Sequence, residues 1–292
     1  REFYLFCLIY GAGVLSSALL GGHKTIDAIQ GFARATGGFL SPNSLGIAGM
    51  VCSFLNLSVL LAPDSPSRRK IFSSIFILAG LYAMLASVSR NTLAAFAAGG
   101  AVMIFYLPLI KKIRWAAIGF CLLLVSLALL PASVYRTVTG RITVENIKET
   151  NWSMRRAIWT DYLGQADDYF FTGLGVNRSP EAVRDTYTTP SRMPLVPHQM
   201  YFQVLVEFGI IGLVIFLAAV AKLLERGFRQ ASWTPRGAGN AALLGLMVSF
   251  AVYGLTGGIL GERTVWLGLG CIGFIQSYRE RTGKSDLRHG DG

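Results

Sequence analysis

Apolar runs long enough to cross a bilayer, separated by short polar punctuation, fill most of this chain. A transmembrane helix needs about 20 such residues. The pattern predicts helices at about 3–20, 43–62, 71–88, 91–110, 115–131, 199–221, 238–260 and 264–278, the last being short. The expected fold is therefore an all-α integral membrane protein of about eight transmembrane helices. One long stretch interrupts the rhythm. Residues 132–198 mix polar and aromatic positions and form a large loop between the fifth and sixth spans. The predicted organisation is five spans in 1–131, the loop 132–198, three spans in 199–278 and a tail 279–292.

The loop carries its own periodicity. "NWSMRRAIWTDYLGQADDYF" (151–170) spaces aromatics and charges as a helix does, which suits a helix lying at a membrane surface. "FTGLGVN" then supplies Gly173 and Gly175 for a tight turn. "SPEAVRDTY" opens with Ser179 as a predicted N-cap, Pro180 in the first helical position and Glu181 in the first turn. Loops of this length are usually functional.

Composition agrees with a membrane protein. The chain is 52% hydrophobic and 15% charged, where soluble domains carry about 25% charge. A net charge of +11 would suggest nucleic acid in a soluble protein. Here the basic residues follow the loops, so membrane lipids and not nucleic acid are the expected surroundings. Fourteen of them crowd into 68–70, 111–114, 222–236 and 279–288. The alternate segments 21–42, 89–90, 132–198 and 261–263 hold twelve over more than twice the length. The positive-inside rule puts the first set in the cytoplasm, and the large loop on the outer, periplasmic side of a bacterial inner membrane. The first residue is Arg1, and an apolar span begins almost at once, so an N-terminal part is expected beyond it. Cys7, Cys52, Cys121 and Cys271 all fall in apolar runs, which argues against a disulfide framework or a zinc site.

The candidate chemistry lies on the external side. "PHQMYFQVLVEFGIIG" begins a span with His198 and places Gln199, Gln203 and Glu207 four residues apart, on one helix face. A carboxyl two turns into a membrane helix is costly and faces protein or water. With Pro197 starting the helix, His198 is expected in the first turn, where the positive dipole end favours a neutral ring able to accept a proton. An interfacial histidine that only fixes the loop fits the same position. Arg90, in the short hairpin "SVSRNT", is either a phosphate clamp or a snorkelling side chain. Arg155 and Arg156 are a second clamp or a solvated face, and Arg34 and Arg178 are weaker candidates of the same kind. Glu262 and Arg263 read as a local charge pair. Glu145, Glu149, Asp161 and Asp167 offer carboxylates for glycoside chemistry, but no spacing singles out a pair. No metal-ligand spacing, phosphate loop or nucleophile elbow is present.

In this order, four stretches resemble the O-antigen ligase and O-antigen polymerase superfamily of bacterial membrane glycosyltransferases. They are "RATGGFLSPNSLG" (34–46), "SVSRNTLAAF" (87–96), "RRAIW" with "FTGLGVN" (155–177), and "HQMYFQVLVEFGIIG" (198–212). Gln199 stands where the family usually has Asn, and Asn91 where Gly is common, which bears on the subfamily. The resemblance implies a GT-C-like fold and a metal-independent, inverting transfer without a cofactor. The implied donor is an undecaprenyl-pyrophosphate-linked glycan. The implied acceptor is lipid A core or a growing polysaccharide, so ligase and polymerase both remain open. External arginines and a histidine are implied at Arg90, Arg155 and His198. The rival reading is a transporter or flippase of a lipid-linked anionic glycan. Against it, the sequence offers no paired halves and no Gly- or Pro-broken helices in matching positions.

Overall fold

The structure, a computed structural model, describes residues 2–20, 25–27, 32–34, 36, 38–39, 41–63, 65–106, 125, 128, 151–183, 197–231, 235–258 and 260–273. Four apolar helices precede the loop: α1 (Glu2–Leu20), α2 (Pro42–Leu60), α3 (Ser67–Ala86) and α4 (Arg90–Phe105). The loop contributes α5 (Asn151–Gly164), the single turn α6 (Ala166–Tyr169) and a 3₁₀ turn at Ser179–Val183. Then come α7 (Met200–Gln230), α8 (Pro235–Gly254) and a last helix, α9, over 263–273. Among the described residues the only β-structure is a three-residue antiparallel ladder, β1 (Thr25–Asp27) with β2 (Phe32–Arg34).

Helices Pro42–Leu60, Ser67–Ala86, Met200–Gln230 and Gly237–Gly254 are long and apolar enough to cross a membrane, and Glu2–Ser17 and Arg90–Phe105 are shorter apolar helices. The span expected at 115–131 lies outside the described residues except for Val125 and Ala128, both helical, and the tail 279–292 lies outside them entirely. The helix expected at 199–221 instead runs on to Gln230. Its extra turns carry Glu225 paired with Arg229, and a basic C-terminal turn complements the helix dipole.

α2 is the centre of the bundle, buried from Ser44 to Asn56. It packs against α1, α3 and α8, and α4 packs on α8. Lipid offers no hydrophobic drive for helices to associate, so close backbone approach has to supply the contact. Glycines provide it twice. A Cβ on Gly80 would lie 2.6 Å from the Gly49 carbonyl, and one on Gly245 would lie 2.7 Å from the Gly99 carbonyl. Ser53 and Ser249 sit in these crossings and satisfy their hydroxyls on the carbonyls one turn back, Gly49 at 2.9 Å and Gly245 at 2.8 Å. Around them Met50, Phe54, Leu55, Leu244, Leu246 and Phe250 form the apolar core. By contrast, α7 beyond its second turn exposes Ile211, Val214 and Ile215, the surface a lipid-facing helix presents.

Candidate functional site

Helix N-termini gather at one end of the bundle. α2 starts at Ser41, whose hydroxyl accepts the Ser44 N–H at 3.1 Å. α4 starts at Ser89, which caps Thr92, and Arg90 is its first residue. The Asn91 amide reaches the Thr256 carbonyl beyond the end of α8 at 3.1 Å. From the other side Met200, the first residue of α7, packs on Gly254. The start of α9 closes the group, where Glu262 accepts the Ser44 hydroxyl at 2.7 Å. Each N-terminus presents unpaired N–H groups and partial positive charge. The first turns of α2, α4 and α7 contain no acidic residue. Arg90 is a cation where the dipole disfavours one, so its position does not serve the helix. It is half-buried, with no carboxylate partner among the described residues.

The loop domain is fastened to the first turns of α7. Ile158, Tyr162, Tyr169, Val183 and Val206 form a small separate core. Tyr162 donates to the Ser179 carbonyl at 2.9 Å, and Tyr169 donates to the Tyr162 carbonyl at 2.7 Å. Burial pushes the Tyr169 phenol up to about 12. The strongest link is made of backbone. At Gly209 α7 is broken, with φ 68° and ψ −175°, a conformation almost confined to glycine. Three hydrogen bonds bridge the break: Ile210 N–H to Phe170 carbonyl at 2.7 Å, Leu174 N–H to Val206 carbonyl at 2.9 Å, and Gly175 N–H to Glu207 carbonyl at 2.9 Å. Gly173, at φ 71°, lies so close that a Cβ would strike the Glu207 carbonyl. The two glycine motifs of the sequence are therefore the two halves of one joint. Among the described residues no other helix interior is broken, and this break is filled by loop backbone, unlike the paired broken helices of transporters.

The predicted site residues fall as follows. His198 is not in the first turn of α7: Gln199 takes the cap position, its side-chain oxygen accepting the Phe202 N–H at 2.6 Å. His198 precedes that cap in a left-handed conformation, φ 53°, and is half-buried. Pro197 is likewise outside the helix, and its carbonyl accepts the Trp159 indole N–H at 2.9 Å. The polar stripe divides. Gln199 is spent on the cap, while Gln203 and Glu207 are both buried and bonded to each other at 2.9 Å. Arg156 is exposed on α5. Arg155 lies on α5 and Arg34 on β2, and only their backbone is described. Arg178 pairs with Glu181 at 2.6 Å and stays on the loop surface. Ser179 begins a 3₁₀ turn and does not cap an α-helix, and its carbonyl accepts the Tyr162 hydroxyl. Glu262 bonds Ser44, and no ion pair joins it to Arg263. A groove of about 300 Å³ runs between α5 and α7, lined by Trp159, Gln199, Phe202 and Leu205 among others.

The arrangement draws Arg90 and His198 to the same end of the bundle, around the C-terminal end of α8. Both follow the same local design: Val88 (φ 51°) and His198 are left-handed non-glycine residues standing immediately before an N-cap. Val88 is β-branched, where such a φ is a true outlier. Strain of this kind persists only where surrounding contacts enforce it, and it concentrates at functional sites.

Residues 75–217 match the profile of a family described as O-antigen ligase. The match covers about half of the chain and contains Arg90, Arg155, Trp159, His198, Gln203 and Glu207. No curated protein matches the chain.

Proposed function

We propose that this membrane protein, whose residues 75–217 match the O-antigen ligase family, is a glycosyltransferase of the ligase and polymerase type that transfers a glycan from undecaprenyl pyrophosphate to an acceptor hydroxyl on the periplasmic face of the inner membrane. The observation that carries the reading is the cluster of helix N-termini, in which α2, α4 and α7 have no acidic residue in their first turns, with Arg90 in the first turn of α4. Such a place is stabilised by an anion. A lipid pyrophosphate is an anion held at the membrane surface. Arg90 forks onto its oxygens, and Arg155 approaches from the loop helix, with Arg156 and Arg34 as secondary contacts. They neutralise the charge that grows on the leaving pyrophosphate.

His198 acts as the general base. It takes the proton of an acceptor sugar hydroxyl while that oxygen attacks the anomeric carbon from the side opposite the pyrophosphate. The new glycosidic bond forms as the bond to the pyrophosphate oxygen breaks, with inversion, and the lipid pyrophosphate departs. Because the leaving group is already good and two arginines stabilise it, the reaction proceeds without a metal. Gln199 holds the helix start behind the base, and the Gln203–Glu207 pair braces the helix below it. The acceptor is lipid A core or a growing polysaccharide.

The clamp is tested by Arg90→Lys. Lysine keeps the charge but is a point donor that cannot span two phosphate oxygens. Donor affinity, measured by binding of a lipid-linked glycan, is expected to fall about tenfold or more, as loss of a charge-assisted bond of roughly 1.5–3 kcal/mol requires. Unchanged affinity would make Arg90 a snorkelling side chain. The topology is tested by single cysteines at exposed positions. Asp167→Cys is expected to react with a membrane-impermeant thiol reagent in intact spheroplasts, and Arg226→Cys only after lysis. The reverse pattern would put His198 in the wrong compartment.

A further inference from the structure

His198 owes its direction to its neighbours in the chain. The residue before it, Pro197, is buried, and its carbonyl is held by the Trp159 indole at 2.9 Å. The residue after it, Gln199, is held by its own cap bond to Phe202 at 2.6 Å. Between these two fixed points His198 sits at φ 53°, a conformation that L-residues with a Cβ avoid. Nothing intrinsic to histidine keeps it there. Gln199 is anchored from within α7, and Trp159, 38 positions before Pro197 on α5, brings an anchor from another element. That helix is itself immobilised from below. Ile158 and Tyr162, next to Trp159 and one turn on, are buried against Val206, and Tyr162 meets Phe202 edge to face at 5.8 Å.

We propose that Trp159 is a positioning residue for His198: by holding the Pro197 carbonyl, its indole N–H enforces the left-handed turn that aims the imidazole. The proposal rests on the reading of His198 as the general base. It assigns the bulky aromatic of the "RRAIW" segment a task distinct from filling the loop core. An apolar ring such as phenylalanine would keep an aromatic side chain against the loop core, but it would leave the Pro197 carbonyl without this donor. The peptide between Pro197 and His198 would lose that restraint, and His198 would shift from its left-handed conformation. Proximity effects are steep, so a base displaced by about 1 Å loses up to about 100-fold in rate. Donor binding is untouched, because the arginines make those contacts.

The test compares Trp159→Phe, Trp159→Tyr and wild type in the full chain, reconstituted in nanodiscs with ¹³C-labelled histidine. The imidazole resonance missing from His198→Ala identifies His198. Trp159→Phe is expected to lower turnover about 10- to 100-fold, leave affinity for the lipid-linked donor unchanged, and shift or split the His198 resonance. Trp159→Tyr, whose hydroxyl can donate to the same carbonyl, is expected to recover part of the rate and the wild-type resonance. It also keeps the proposal testable if the Phe variant folds poorly. An unmoved His198 resonance in Trp159→Phe overturns the proposal, whatever the rate. So does a moved resonance with full turnover. A separate failure, full transfer by His198→Ala, would remove the base reading itself.

Discussion

Replacing His198 with alanine is expected to lower glycan transfer by about 10²–10⁴-fold, the range general-base assistance supplies, while donor affinity stays close to wild type. The two effects separate because the proposed work is divided. Arginines hold the pyrophosphate, and the histidine serves the acceptor. His198→Gln should be no better than alanine. Glutamine can accept a hydrogen bond from the sugar hydroxyl but cannot take its proton. Activity should also fall as pH drops through the titration of the imidazole, since only the neutral ring is a base. A histidine that merely fixes the loop gives a different set of results. Glutamine would then work well, and the rate would not follow the protonation of the ring. Reconstituted transfer by the Ala and Gln variants, measured beside donor binding and across pH, distinguishes the two.

The second large effect is expected at Gly209, and it concerns the joint that mounts the loop on α7. Gly209→Ala places a Cβ against the Phe171 carbonyl and forces alanine into a backbone conformation that costs roughly 1–3 kcal/mol. The cheapest relief is to straighten α7. That would break the hydrogen bonds from Ile210, Leu174 and Gly175 and release the loop that carries Trp159. Protein folded in detergent should lose thermal stability, and limited proteolysis should open sites within 165–183. Gly100→Ala is the control. Its Cβ would meet nothing within 4 Å, and alanine in a helix interior is favoured by roughly 0.5–1 kcal/mol. If the two variants behave alike, the joint is not what holds the loop.

How much of this was legible beforehand depends on the range of the interactions involved. The apolar helices are written locally, in runs of side chains that must find lipid or protein, and α1 to α4 begin and end near their predicted limits. The loop helix was readable because its aromatics recur at helical spacing, and Ile158, Tyr162 and Tyr169 do form a core. The turn at Gly173 was readable from "GLG". The matching break at Gly209 was not, since a glycine in an apolar helix usually marks close packing, as Gly49 and Gly99 show. Only the partner loop reveals that the helix opens there. The span limit at 199 matches α7, but the expectation that Pro197 starts the helix fails for a related reason. Glutamine is a weak capping residue, so nothing local announced that Gln199 would cap and push Pro197 and His198 outside. The bonds from Trp159 to Pro197 and from Ser44 to Glu262 join positions 38 and 218 residues apart. No periodicity encodes such pairs. From sequence alone Glu262 pairs with its neighbour Arg263, the nearest opposite charge in the chain.

The central claim is that this protein cleaves a lipid pyrophosphate linkage and passes the glycan on, and product analysis of a reconstituted reaction tests it most directly. Full-length protein in proteoliposomes would receive an undecaprenyl-pyrophosphate-linked glycan and a lipid A core acceptor, with EDTA present, and both lipid products would be followed. The account predicts one undecaprenyl pyrophosphate released for each glycan joined to the acceptor, an inverted anomeric linkage in the product, and loss of both products in His198→Ala. Donor that crosses the bilayer with its pyrophosphate linkage intact and no new glycosidic bond would contradict it, and would make the protein a carrier of lipid-linked glycan.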